Sequence, residues 1–409
     1  MRQARKRAGR ATESVFRYVH CSLSKEHVRL RCSNKPRARG RTRFTRERGG
    51  AGAIPRSLGD GVRGVEGMAD PLGGLDLRID PWGIEQGGEV TIDAEAVDGD
   101  AHEVDMDVEV EASSWAALRP VAGVLPESVC FVDGVRRIDL RVMRVVRDSL
   151  GIARVGYGGF GSFAVGAVEV LGDPRKASFH SEEVGRCLVV GGGDEVPDVV
   201  LSEGALSVIY LGEASEQNEP TTPQVRLHRR MRLAEERFGR ALADALPMGQ
   251  RLVVMDGPLS FEDKVKGLAV GAVKRLHELY VPREKQVVLE ALGPGERTPM
   301  FHIGGRYPRY SWFLRLSATG PHEPPWSGLM RMEVHDAIGR EASKRLADLT
   351  ASALPVFAPS RAADPRAPQN LLPIGALEMH LRRALGDATL LRRQLESLVR
   401  SRRAEERRG

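Results

Sequence analysis

Two short apolar runs, VCFVD at 129–133 and LVVMD at 252–256, each end on an aspartate that glycine follows at once. Four to eight apolar residues, many of them β-branched and bounded by a turn signal, predict a buried strand. A carboxylate at the exit of such a strand is costly unless something pairs with it. Gly134 and Gly257 are expected to let the backbone turn there, so that Asp133 and Asp256 face a cleft. A single Asp-Gly is also what an Asx-turn at a strand end looks like. Two copies, a domain's length apart, point instead to one shared acidic site.

Charge is distributed unevenly along the 409 residues. The formal net charge is +6, but residues 1–67 hold 18 Lys and Arg against 5 Asp and Glu, a local +13 that leaves −7 for the remainder. The body is therefore mildly acidic, and overall charge says nothing for nucleic acid; any such case must come from local patches and the site. Residues 1–67 lack sustained apolar periodicity and are expected to be a disordered basic leader, with Met68 a possible natural start. Residues 68–128 form an acidic segment, with 14 acidic residues against Arg78 alone between 68 and 111, ending in the alternating VDMDVEVE of an exposed edge strand. Cys21, Cys32, Cys130 and Cys187 show neither CxxC nor metal-ligand spacing, which suits a reducing cytoplasm. No run approaches membrane-spanning length.

Beyond 129 the pattern predicts a meander of strands at 129–133, 138–146 and 160–170. The intervening GYGGFGSFAV, 156–165, superficially resembles a glycine-rich nucleotide loop, the basis for a kinase-like alternative. No phosphate-binding lysine motif accompanies it, so a flexible hairpin is expected. A strong helix follows over 224–246, with Leu227, Met231, Phe238 and Leu242 as its core stripe. Glu235 falls on that stripe, where a glutamate needs either an arginine partner or a functional reason. A helix over 262–279 is expected to carry Lys274, and strands are expected at 286–292, 307–316 and 329–335. Helices are predicted over 337–353 and 374–385; in the second, Glu378 lies on the stripe of Ile374, Leu377 and Leu381. An arginine-rich tail, 388–409, closes the chain. Arg309, Arg315 and Arg331 interleave with aromatic residues on strands and, with Arg366, are candidates to grip a phosphate backbone; the alternative puts one face of each strand in the core.

Asp133, Glu235, Asp256 and Glu378 thus form one hypothesis, two from strands and two from helices. Oxygen donors without a thiolate or histidine cluster suit Mg²⁺ or Mn²⁺, and two such ions would neutralise four mutually repelling acids and clamp a phosphodiester. Lys274 would steady charge developing on the phosphate.

This order of elements resembles the RNase H-like nuclease fold, a mixed sheet flanked by helices and here extended by further strands. More closely, FVDG, MRLAEERF, LVVMDGPL, AVGAVKRLHELY, RYSWFLRL, PWSGLMRMEV and DPRAPQNLLPIGALE resemble, in order and spacing, the motifs of the NurA family over 129–387. The resemblance implies a dimeric manganese-dependent DNA nuclease of end resection and double-strand break repair, partnered by a HerA-type hexameric ATPase. It matches Asp133, Glu235 and Asp256 to the family's acids and Lys274 to its lysine. Where many members carry histidine in the last motif, this chain has Glu378, with His380 close by as the other candidate. A catalytically inactive adaptor of the same fold, binding an ATPase partner and DNA, is the alternative from another class.

Overall fold

The computed structural model describes residues 72–81, 104–106, 111, 114–120, 126–171, 176–203, 206–245, 250–259, 265–276, 278–305, 307–360 and 369–406. The expected leader, 1–67, and Arg366 lie outside them, as does much of the acidic segment.

The strands are β1 (Leu77–Ile79), β2 (Val104–Asp105), β3 (Ser128–Arg147), β4 (Ala153–Leu171), β5 (Lys176–Gly191), β6 (Val199–Glu203), β7 (Leu206–Ser215), β8 (Arg251–Asp256), β9 (Leu268–Val273), β10 (Phe301–Ile303), β11 (Arg309–Arg315) and β12 (Leu329–His335). The helices are α1 (Thr222–Asp244), α2 (Val287–Ala291), α3 (Arg340–Ala353), α4 (Leu372–Ala384) and α5 (Ala388–Glu406). One mixed sheet takes the order β2-β10-β11-β12-β9-β8-β3-β4-β5-β7-β6, with β1 paired to the far half of β3. The pairs β3–β4, β4–β5 and β9–β12 are antiparallel, whereas β3–β8 and β8–β9 are parallel.

Several expectations give way here. The strands predicted at 129–133 and 138–146 are one continuous strand, β3, which passes through Asp133-Gly134 without turning. Gly134 serves a close approach instead: a Cβ there would collide with Glu235 Oε1 and stand 2.9 Å from Met231 Cγ, so its absence lets α1 press on β3. The supposed glycine-rich hairpin is the buried middle of β4, and at Gly161 a side chain would run into Leu227 of α1. Residues 262–279 supply β9 rather than a helix, because LAVGAV is a fully apolar run of strand length, buried between parallel β8 and antiparallel β12. Residues 286–292 form the short helix α2, not a strand. At Gly257 the turn is real, and its φ of +103° is one that other residues adopt with strain.

Side-chain alternation along the central strands builds two core layers. Val129, Phe131 and Val135 of β3, with Leu252 and Val254 of β8, pack against Ile374, Leu377 and Leu381 of α4. Cys130 and Val132, with Val253 and Met255, pack on the other side against Leu227, Met231 and Ala234 of α1. Parity alone therefore puts Asp133, Asp256 and Lys274 on the α4 side. A further core joins Leu391, Leu395 and Val399 of α5 to Leu140 and Phe160. No helix among the described residues is long and apolar enough to cross a membrane.

Candidate functional site

Asp133 sits mid-strand on β3 and is almost fully buried; its Oδ1 accepts a hydrogen bond from the Gly134 amide at 2.8 Å. Asp256 ends β8, the parallel neighbour of β3. Glu378 comes from α4, which packs over β3 and its neighbour β4. These three each present a carboxylate oxygen such that all lie within 4.8 Å of one another. Lys274 leaves β9 one residue past its end and donates from Nζ to Asp256 Oδ2 at 2.6 Å and to Asn370 Oδ1 at 2.7 Å.

Glu235 approaches from the opposite layer. It is buried on α1 and carries an ion pair with Arg232 Nη1 at 2.5 Å. The same guanidinium donates to the carbonyls of Asp256 (3.0 Å) and Pro258 (2.6 Å), so it holds both Glu235 and the backbone that delivers Asp256. From β12, Glu333 secures the other end of that turn by accepting from the Leu259 amide at 2.6 Å.

Burial pushes the Asp133 carboxyl well above the usual carboxylate range; Asp256, Glu235 and Glu378 push it the same way, and Lys274 opposes them. Burial likewise raises Glu235, with Arg232 opposing and Asp256 adding to the rise. The Lys274 ammonium and the Arg232 and Arg136 guanidinium groups face four acids. A desolvated cluster of oxygen donors in that imbalance favours either protonation or a hard cation. The donor set fits a divalent ion of the Mg²⁺ or Mn²⁺ type.

Comparison with known proteins adds a structural likeness. No family model matches the chain, and no curated protein matches it. Among solved structures it is similar to the crystal structure of the NurA nuclease from Sulfolobus solfataricus. The match has a TM-score of 0.36 and 14% sequence identity, and it covers 71% of this chain and 88% of that one.

The structure brings together four of the residues expected at a site, Asp133, Asp256, Glu378 and Lys274, while Glu235 stands in the opposite layer and is tied to them through Arg232. His380 is not among them. It lies two residues along α4 from Glu378, bonded to Glu182 at 2.5 Å and stacked on Phe179 with ring centroids 3.9 Å apart. The three described arginines expected to grip phosphate are buried instead. Arg309 donates to Glu333 Oε2 at 3.1 Å, and Arg331 lies over the Tyr280 ring at 4.6 Å and donates to the Glu278 carbonyl. Arg315, 1% exposed, donates to the carbonyls of Leu289, Leu292, Pro325 and Ser327. Both faces of β11 and β12 are covered, so all three lie inside and their charges hold Glu333 and neighbouring backbone rather than reaching solvent.

Sequence reasoning passed over Arg232 and Asn370. Arg232 carried a usable signal, since it stands three residues before Glu235 on one helix face, the spacing at which opposite charges meet. Asn370 carried none, because its contact with Lys274 spans 96 positions.

Proposed function

We propose that this chain is a metal-dependent nuclease acting on DNA, built on an RNase H-like sheet. The observation that carries the proposal is the convergence of Asp133, Asp256 and Glu378 within 4.8 Å, with Lys274 on the second of them. The order of elements supports the fold reading: an antiparallel meander β3-β4-β5 opening on an aspartate, then α1 with its glutamate, then β8 added parallel to β3 and ending in aspartate.

Asp133, Asp256 and Glu378 would hold Mn²⁺ or Mg²⁺, with Glu235 the acid available to a second ion. Bound there, such ions supply Lewis-acid stabilisation of a phosphodiester and activate water for attack on it. The chain's own residues prepare that site. Arg232 and Glu333 fix the turn after Asp256, Asn370 holds the Lys274 ammonium beside the acids, and the covering α1 and α4 layers limit water at Asp133. Lys274 is the cation placed to stabilise negative charge on a bound phosphate. A homodimeric state, a cytoplasmic location, a role in break repair and pairing with a HerA-type ATPase belong to the same proposal, and their basis is the motif resemblance.

The test is cleavage of end-labelled single- and double-stranded DNA by the purified chain with Mn²⁺, with Mg²⁺ and with EDTA. Cleavage that requires the divalent ion and is lost in Asp256→Asn is expected. Ion-independent cleavage, or none under any condition, would overturn the nuclease reading; binding of DNA without cleavage would favour the adaptor alternative.

A further inference from the structure

The antiparallel pairing of β12 with β9 fixes where the loop before β12 emerges. Arg331 pairs with Val273, so the chain entering β12 stands at the end of β9 that delivers Lys274, beside the end of β8 that delivers Asp256. That loop carries Trp326 three residues before β12 begins, close to where the Leu316 amide bonds the Gly328 carbonyl. The indole is 38% exposed and, among the described residues, takes part in no hydrogen bond or ring contact of its own. An exposed tryptophan is unremarkable when isolated on a flexible loop. Here the backbone that carries the indole is hydrogen-bonded on both sides.

Arg315, buried at 1% exposure, donates from one nitrogen to the carbonyls of Pro325 at 3.1 Å and Ser327 at 2.6 Å, the residues on either side of Trp326. The Ser327 amide donates to Pro324, and the Leu329 amide to Trp326, closing two consecutive turns. Two prolines precede the tryptophan, and Gly328 takes the positive φ, +77°, that the second turn needs. The Trp326 carbonyl also accepts from Gln369 Nε2 at 3.4 Å, and the next residue, Asn370, holds Lys274. A continuous run of contacts therefore links the indole's backbone to the acidic centre.

We propose that Trp326 is a base-stacking platform for single-stranded DNA, seating the nucleotide beside the phosphate held at the acidic centre. The inference rests on the nuclease reading and assigns Arg315 a positioning role, since it touches no substrate and fixes the loop that does. A preorganised aromatic face suits this task because every base has a π-face, so stacking adds affinity without selecting sequence.

The test is fluorescence anisotropy with the full chain, Ca²⁺ replacing Mn²⁺ to suppress cleavage. The probes are a labelled oligothymidylate and an abasic strand of equal length. Trp326→Ala is expected to weaken oligothymidylate binding about tenfold, the loss of one stacked base, and to leave abasic binding unchanged. Trp326→Phe keeps a ring and is expected to stay within about threefold of wild type. If Trp326→Ala bound both strands like wild type, or weakened both equally, the inference would be wrong. Cleavage by wild type in Mn²⁺, run in parallel, reports on the nuclease reading separately. Cleavage with an unaffected Trp326→Ala sinks only the stacking role; a wild type that neither cleaves nor binds sinks both.

Discussion

Gly134→Ala isolates the contact on which the geometry of the acidic centre depends. The added methyl meets Met231 Cγ at 2.9 Å and Sδ at 3.1 Å, against 3.4–4 Å for ordinary contact, and it overlaps Glu235 Oε1. Met231 is flexible and can move a few tenths of an ångström. Glu235 has less freedom, because Arg232 holds its other oxygen at 2.5 Å while anchoring the turn after Asp256. Relief therefore requires α1 to back away from β3 or the Glu235–Arg232 pair to break. Overpacking of this kind costs about 1–3 kcal/mol. Urea unfolding of the metal-free chain measures it, and Mn²⁺-induced thermal stabilisation reports on the site. The expected result is a lower unfolding midpoint and a smaller Mn²⁺ shift. In a Glu235→Ala background the same substitution should cost less, by roughly 1 kcal/mol of coupling. If Gly134→Ala were neutral, or cost the same with and without Glu235, the close-approach argument would be wrong and a turn role for the glycine would return.

Asp133→Asn should leave metal-free stability unchanged or higher, since Asp133 lies where burial and three acids disfavour its charge, while Mn²⁺ stabilisation and cleavage are abolished; a less stable metal-free protein would contradict the repulsion argument. Glu378→Gln should weaken Mn²⁺ affinity about tenfold or more, while His380→Ala, acting on a residue bonded to Glu182, should not, and calorimetry on both variants separates the two helix registers. His228 supplies a pH signature. Burial, then Arg136 and Arg232, lower it to about 4, whereas an unfolded chain protonates near pH 6.5. Between those values the unfolded state binds more protons, so stability present above about pH 6.5 is lost as the pH falls towards 4. The residue is half-buried but both ring nitrogens lie out of reach of solvent, and the loss is on the order of 1–2 kcal/mol. Asp133 and Glu235, raised in the fold, act in the opposite direction, so the comparison is between wild type and His228→Phe. The variant should lose less stability from pH 7 to pH 5, and identical losses would remove His228 from the account.

Much of the centre was legible in the chain alone. Apolar runs of strand length ending in Asp133 and Asp256, and helical stripes carrying Glu235 and Glu378, identify four acids that residues of ordinary core character surround. Those signals are local: period two and period 3.6 need no partner to be read. The same periodicity located β11, β12, α3 and α4 within a few residues. It misplaced Lys274 on a helix because a wholly apolar six-residue run does not distinguish a buried strand from a buried helix segment.

What the tertiary structure decided is everything that depends on a neighbour distant in sequence. Gly134 looks like a turn glycine until α1 is seen pressing on it, and the glycines of β4 look like a loop until they are seen beneath the same helix. Arg309, Arg315 and Arg331 look like phosphate ligands until the layers over both faces of β11 and β12 are seen to bury them, because charge and aromatic content do not say whether a strand face meets solvent. The sequence by itself did not determine which acids are buried: Asp139 and Glu333 are buried as deeply as Glu235, whereas Asp256 and Glu378 are partly exposed. It did determine on which elements the four acids would lie. Only the packing of α4 and α1 on opposite faces of one sheet decided that they meet, since the distance between two side chains belongs to neither segment.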